Sequence, residues 1–427
     1  MADISHSTSP YTLAEWRSLD AVARQLIVIR VLRSVAQGAL AVDFTLYLRA
    51  RGWQADAVGL LLMAGGLIGA VLGLVVGILS DRMGRRFFLI VYEAGLSIGT
   101  LAVMVLPAAW VLAATAALFG FGRGANGSSG PFAPAEQAWL AQRVPSQKRG
   151  PVFSLNAAAQ FMGMGVGSLL AAGLPHLLPG VKGSAAYLPL FALNLLVALV
   201  NLVQIWRLQE DRLDVEEGVP VGAKDLEAAE RTVVRRENRA LLLLVIVNMV
   251  NALGVGLVTP LLPYWFAMRF GVGPELIGPV YSLTFIVTGF SSLAVGRISQ
   301  RIGLVRSIVL PRLLGVLMIG LIPFAPTFAL ASAFYVTRSI VNRGSAGARQ
   351  AFSVGLVRDR RRGLASSLNA LSWSLPAAIG PAIGGYLIGI GVIVWPFLMA
   401  AALQLGYVIL FPIVMGRYAA PKAQGAD

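Results

Sequence analysis

The sequence predicts an all-α integral membrane protein with twelve transmembrane helices in two six-helix pseudo-repeats, and three observations carry that prediction. The first is composition: of 427 residues, 57% are hydrophobic and 13% charged, with a mean hydropathy of +0.74, against a charged fraction of about 25% in soluble domains. The second is the recurrence of apolar runs of roughly 20 residues, which at about 1.5 Å rise per residue cross a bilayer as a helix. The third is a duplication. Gly77-Ile78-Leu79-Ser80-Asp81-Arg82-Met83-Gly84-Arg85-Arg86 lies between two apolar runs, and a weaker copy, Gly296-Arg297-Ile298-Ser299-Gln300-Arg301-Ile302-Gly303, follows 219 positions later.

Further anchors keep the same order. Gly59 stands 18 residues before Gly77, and Gly278 stands 18 before Gly296. At a slightly shorter offset, Arg149-Gly150 and Ser154-Leu155-Asn156-Ala157 pair with Arg362-Gly363 and Ser367-Leu368-Asn369-Ala370. Parallel repeats of this kind organise one large class of transporters.

In chain order, a polar N-terminal tail, 1–23, lacks the pattern of a cleaved signal peptide. Spans at 24–48, 56–79, 87–107, 110–138, 150–174 and 184–206 make the first half, 24–206. The longest polar interruption is a cytoplasmic linker, 207–237. Gly218, Pro220 and Gly222 make its first part flexible, and Glu227 and Arg231, four apart, favour a helix feeding span seven. Spans at 238–268, 275–297, 305–325, 327–355, 363–389 and 391–415 make the second half, 238–415, before a C-terminal tail, 416–427.

The 35 Lys and Arg residues give a formal net charge of +15. With the N-terminus inside, the outer loops receive only Arg49, Arg51, Lys182 and Arg269, the positive-inside bias of a multi-pass protein. Both termini are therefore placed in the cytoplasm and the chain in the cell membrane. No basic polar domain with interleaved aromatics offers itself to nucleic acid. Cysteine is absent and His6 and His176 stand apart, so disulfides, thiolate chemistry and a metal site are not expected. The glycine-rich run Gly120 to Gly130 is read as part of the span-four helix rather than a phosphate cradle. No cofactor is called for, no nucleophile–base set is found, and an enzyme is not expected. The expected partners are the lipid bilayer, a small-molecule substrate and protons, and the chain is expected to be a monomer.

Gly-x-x-x-Asp-Arg-x-Gly-Arg-Arg between spans two and three resembles the signature of the major facilitator superfamily, and the resemblance extends over the whole chain. In span four, Arg123-Gly124-Ala125-Asn126-Gly127 resembles that family's Arg-x-x-polar-Gly element, linked to proton coupling. In span eleven, Gly380-Pro381-Ala382-Ile383-Gly384-Gly385 resembles its Gly-Pro-x-x-Gly-Gly element. In the family's drug antiporters that element lies in span five, where this chain has Gly163, Gly165 and Gly167 without a proline. The departure weakens antiport as an inference, while the glycines still give close helix approach.

A tight reversal at a helix end favours glycine at Gly84, and Asp81 is suited to accept from the exposed amides of a neighbouring helix. The resemblance implies that this neighbour is span eleven. Gly77, Asp81, Arg82, Gly84, Arg85 and Arg86, with Glu136 as partner of the arginines, are read as a cytoplasmic gate. The second copy has Gln300 for Asp81 and Arg349 for Glu136, so the gate is expected to be asymmetric.

Acidic residues inside spans cost about 2.5–3.5 kcal/mol on insertion scales, and there are three: Asp43, Glu93 and Glu136. Asp43 has no evident local partner and is a candidate to bind a proton or a substrate cation; the alternative is a static pair with an arginine. Glu93 and Arg312, 219 positions apart, are read as shallow residues that snorkel or meet loop charges. Arg33, Arg123, Arg338 and Arg343 fall on spans one, four and ten, which the resemblance places at a central cavity. Arg123 cannot shed its proton and is assigned with Asp43 to proton coupling, close in one state and far in another; the alternative is a donor to carbonyls freed by Pro131 and Pro134. Cavity candidates are Arg33, Asn126, Asn156, Gln160, Asn251, Tyr264, Trp265, Tyr281, Arg338, Asn342, Asn369 and Trp373. Any one of them is equally suited to a helix–helix hydrogen bond.

The functional expectation is a secondary active transporter working by alternating access, exporting a small amphipathic or organic molecule with proton coupling. Uptake of a small anionic solute by proton symport is the alternative, favoured by the excess of span arginines over acids. A sensor on a transporter fold is the alternative of another class.

Overall fold

The computed structural model describes residues 16–17, 19–106, 108–122, 132–145, 148–210, 228–302, 304–344, 356 and 362–418. Of these, the side chains of 81, 82, 150, 228–233, 236, 292–302, 304–308, 343, 344, 362–366 and 417 are outside the description. In the first half the helices are α1 Ala21–Ala50, α2 Ala55–Met83, α3 Arg85–Val105, α4 Ala109–Phe119, α5 Ala133–Gln142, α6 Arg149–Ala171 and α7 Leu188–Arg207. In the second they are α8 Ala228–Val258, α9 Leu262–Phe270, α10 Pro274–Ile302, α11 Leu304–Leu321, α12 Phe328–Gly344, α13 Arg362–Gly389 and α14 Trp395–Met415. Among the described residues, eight helical stretches are long and apolar enough to cross a membrane, and the helix positions are consistent with twelve spans. Ile98, Trp206, Phe290 and Ile413 stand exposed on the outer faces, where lipid replaces water as the surrounding solvent.

Two spans are broken. α4 stops at Phe119 because Gly120 and Gly122 take φ of 79° and 78°, a left-handed conformation natural to glycine. α5 resumes the span at Ala133. The expectation that the glycine run lies inside a helix is corrected at these two residues. α8 and α9 are separated by a single 3₁₀ turn, Thr259–Leu261, where Pro260 lacks the amide that a continuous helix needs.

The repeat is visible in how helices touch. Within the halves, α1 packs along α6 and α8 along α13; between them, α2 packs along α13 and α10 along α6. A Cβ at Gly38 would run into the carbonyl of Met164, and one at Gly256 into that of Ala377. A Cβ at Gly59 would meet Pro381 and Gly385, and one at Gly278 would meet Ser168 and Ala172. The partners in each comparison, Met164 and Ala377, Ser168 and Pro381, Ala172 and Gly385, are all 213 positions apart, the same separation as Asn156 and Asn369. Close backbone approach without Cβ atoms is what membrane helices use in place of hydrophobic drive.

The halves also meet through side chains at the end of the bundle where α1 turns into α2. Tyr264 Oη donates to the Trp53 carbonyl at 3.2 Å, with the Arg49 guanidinium 5.8 Å over the Tyr264 ring. His176 Nε2 lies 3.9 Å from Glu275 Oε2.

Candidate functional site

α1 carries two arginines one turn apart into the interior of the first half. Arg30 and Arg33 are 2% and 3% exposed. Arg30 Nη1 pairs with Glu136 Oε1 of α5 at 3.2 Å, and its Nη2 donates to Gln160 Oε1 of α6 at 2.8 Å. Arg33 donates through Nε and Nη2 to Glu93 Oε1 of α3, at 2.9 and 2.6 Å, and through Nη1 to the other oxygen of Glu136. Asn201 of α7 donates to Glu93 at 3.5 Å, and the Tyr92 ring lies 5.6 Å from the Arg33 guanidinium. Two cations thus face two carboxylates, and charge-assisted pairing offsets their desolvation. Beside the cluster, Arg33, Gln37, Tyr92, Glu93 and Asn194 line a small cavity that reaches Phe119 and Gly120 at the α4 break.

This geometry corrects three readings. Glu136 is engaged by Arg30 and Arg33 rather than by Arg85 and Arg86, because α5 turns its first-turn acid inward toward α1. Glu93 neither snorkels nor meets loop charges; it is fully buried and bonded to Arg33 and Asn201. Arg312 is not a snorkelling residue either: it is 3% exposed, donates through Nη1 to Asn251 Oδ1 at 2.6 Å and stacks 4.7 Å over the Tyr407 ring.

The second half repeats the arrangement with different chemistry. The Gly38–Gly256 equivalence spans 218 positions and carries Arg30 onto Asn248 and Arg33 onto Asn251. The Arg33–Glu93 pair therefore becomes Asn251–Arg312. Asn248 Nδ2 donates to Asn369 Oδ1 at 3.0 Å and Ser372 Oγ at 3.3 Å, where Arg30 reaches for α6.

At the α2–α3 turn, Gly84 has φ 95°, and the chain starts α3 without a Cβ in the way. Glu210, just beyond α7, accepts from the backbone amides of Arg85 and Arg86 at 2.8 Å each, capping the helix dipole. Arg85 Nη1 donates to the Ala138 carbonyl at 3.0 Å, and Arg86 donates to the carbonyls of Ile205 and Trp206. Gly77 faces Pro134 of α5 across 3.8 Å from an ideal Cβ. The side chains of Asp81 and Arg82 lie outside the described ones, as do residues Arg123 and Asn126 and the side chain of Arg343.

Asp43, on α1, is fully buried, and among the described residues neither carboxylate oxygen has a hydrogen-bond partner. Asn156 is buried with Oδ1 unpartnered, and Gln160 and Asn251 serve the two arginine clusters. Trp265 is 1% exposed, donates to the Ile393 carbonyl at 3.1 Å and packs 4.6 Å from the Phe397 ring; its place is in the core of the second half, a correction to its reading as a cavity residue. Tyr281 is fully buried 5.2 Å from the Tyr335 ring, Arg338 is 4% exposed, and Asn342 donates to Gln404 Oε1 at 3.4 Å. Trp373 is half-buried on α13. Sequence reasoning missed Arg30, whose signal is its place one turn before Arg33, and Glu210, the first acid after span six.

The profile of the Major Facilitator Superfamily matches residues 26–340 and 244–426. The uncharacterized membrane protein YJR124C of Saccharomyces cerevisiae is 24% identical over 326 residues, which covers 70% of this chain and 72% of that protein. A bacterial homolog of the human lysosomal transporter Spinster, solved inward-facing and occupied, shares the fold at TM-score 0.68 and 14% identity over 94% of this chain and 96% of that one. A structure of a proton dependent oligopeptide transporter study matches at TM-score 0.68 and 12% identity, over 93% and 99% of the two chains. At these identities the structural likeness concerns the fold.

Proposed function

This chain belongs to the Major Facilitator Superfamily, and on that premise we propose that it is a secondary active transporter, working by alternating access, that exports a small amphipathic or organic molecule in exchange for protons. The observation that supports coupling is Asp43, a fully buried carboxyl with no hydrogen-bond partner among the described residues. An uncompensated buried carboxylate is costly, so such a group favours carrying a proton unless water or a cation reaches it. A carboxyl that is dry in one state and wet in another changes protonation as the halves rock. Arg123 is assigned with it. The gate residues Gly77, Asp81, Arg82, Gly84, Arg85 and Arg86 close the cytoplasmic side, with Glu210 as the acid that holds the α2–α3 turn. Both termini are placed in the cytoplasm and the chain in the cell membrane.

The test is transport by the full chain in proteoliposomes under an imposed pH gradient, screened over lipophilic cations and organic acids. Substrate-dependent proton flux opposite to substrate movement is expected, and Asp43→Asn should abolish gradient-driven flux while leaving substrate exchange. Full gradient-driven flux in Asp43→Asn would overturn the coupling assignment, and flux in the same direction as substrate would replace export with symport.

A further inference from the structure

The core of the second half contains a cation that has no counter-charge among the described residues. Arg312 is 3% exposed, and its partners are the amide oxygen of Asn251 at 2.6 Å and the Tyr407 ring at 4.7 Å. Among the described residues, no carboxylate pairs with it. A guanidinium cannot escape by losing its proton, and a buried charge left unpaired is strongly unfavourable.

Among the described residues, the unsatisfied atoms on Arg312 and on the two residues it touches can all donate. Arg312 Nε, Asn251 Nδ2 and Tyr407 Oη are buried without a hydrogen-bond partner among the described residues, as is Gln404 Nε2 one turn along α14. Each can donate, and the first two and Gln404 Nε2 can only donate. In the first half the equivalent place holds the Arg33–Glu93 pair, where the chain supplies its own anion. In the second half Asn251 and Arg312 stand there, and no described residue supplies the anion. One turn further, a Cβ at Gly254 would meet Gln404 and one at Gly315 would meet Asn342, so packing bounds the site on that side.

We propose that Arg312, Asn251 and Tyr407 form an anion site inside the second half that takes one small monovalent anion, a halide or a short carboxylate. One guanidinium balances one negative charge, and the amide and phenol donors complete its coordination. The site is independent of Asp43 and of the direction of transport.

The experiment is thermal unfolding of the purified full chain in detergent, at fixed pH and ionic strength. Chloride or acetate replaces the bulky sulfonate 2-(N-morpholino)ethanesulfonate in steps. A ligand that binds the native state raises the midpoint in a saturable way, and that rise is expected for chloride or acetate. Arg312→Met, which keeps the apolar stem, should remove the dependence. Tyr407→Phe keeps the ring and loses one donor, which should raise the half-saturating concentration about tenfold; this variant carries the test if Arg312→Met does not fold. A wild-type midpoint indifferent to both small anions, or a dependence unchanged in Tyr407→Phe and in folded Arg312→Met, overturns the proposal. Labelled chloride and acetate in proteoliposomes then separate the sources: saturation without flux marks a resident ion, and flux of the saturating anion marks the acid group of a transported solute, either of which supports the site.

Discussion

The α1–α3–α7 layer of the first half and the α8–α11–α14 layer of the second occupy equivalent places, yet one is a closed set of charges and the other is a single cation among neutral groups. Arg33 and Glu93 answer to Asn251 and Arg312, Asn201 of α7 and Tyr407 of α14 are the neighbours those pairs meet, and Arg30 and Glu136 complete the first set. Helix contacts did not diverge in this way. Gly38 with Met164 and Gly256 with Ala377, or Gly59 with Pro381 and Gly278 with Ser168, still meet in the same register. A duplicated bundle keeps its backbone approach because any Cβ there displaces a helix, while the polar groups buried between the same helices are free to change in chemistry.

The most severe way to break the comparison is to remove one member of the closed set. Glu136→Leu leaves Arg30 and Arg33 with surplus buried charge and should cost about 3–5 kcal/mol, read as lost folded yield and a lowered unfolding midpoint in detergent. The double change Arg33→Asn with Glu93→Arg gives the first half the chemistry of the second; it should unfold at a higher temperature than Glu93→Arg alone. A double variant no better than that single one would separate the two layers.

A smaller effect sharpens the other side of the comparison. Gly59→Val and Gly278→Val each push a side chain into a facing backbone and should cost about 1–3 kcal/mol. Their effects should be similar, and a large loss at one with none at the other would show that the interfaces are not equivalent. The mildest change is Glu210→Gln, which keeps hydrogen-bonding capacity but removes the charge over the first amides of α3. A loss of about 0.3–1 kcal/mol is expected, with the same midpoint as wild type counting against the cap.

The duplication was legible because glycines and the α2–α3 motif recur along the chain. The charge sets were not, because their members are remote: Arg30 and Glu136 are 106 positions apart, and no local pattern states which helix a buried arginine will face. Asp43 stands out in the sequence as an acid in an apolar run, and among the described residues its carboxylate oxygens have no hydrogen-bond partner. The break in span four escaped because Gly120 and Gly122, in an apolar context, read equally well as small residues for helix contact and as left-handed turn formers. Glu210 was hidden among the acids that follow span six.

The contacts of Gly59 with Pro381 and Gly278 with Ser168 put main chain against main chain, which makes the bearing between the halves nearly independent of side-chain identity. Substitutions elsewhere can then accumulate without shifting how one half seats on the other.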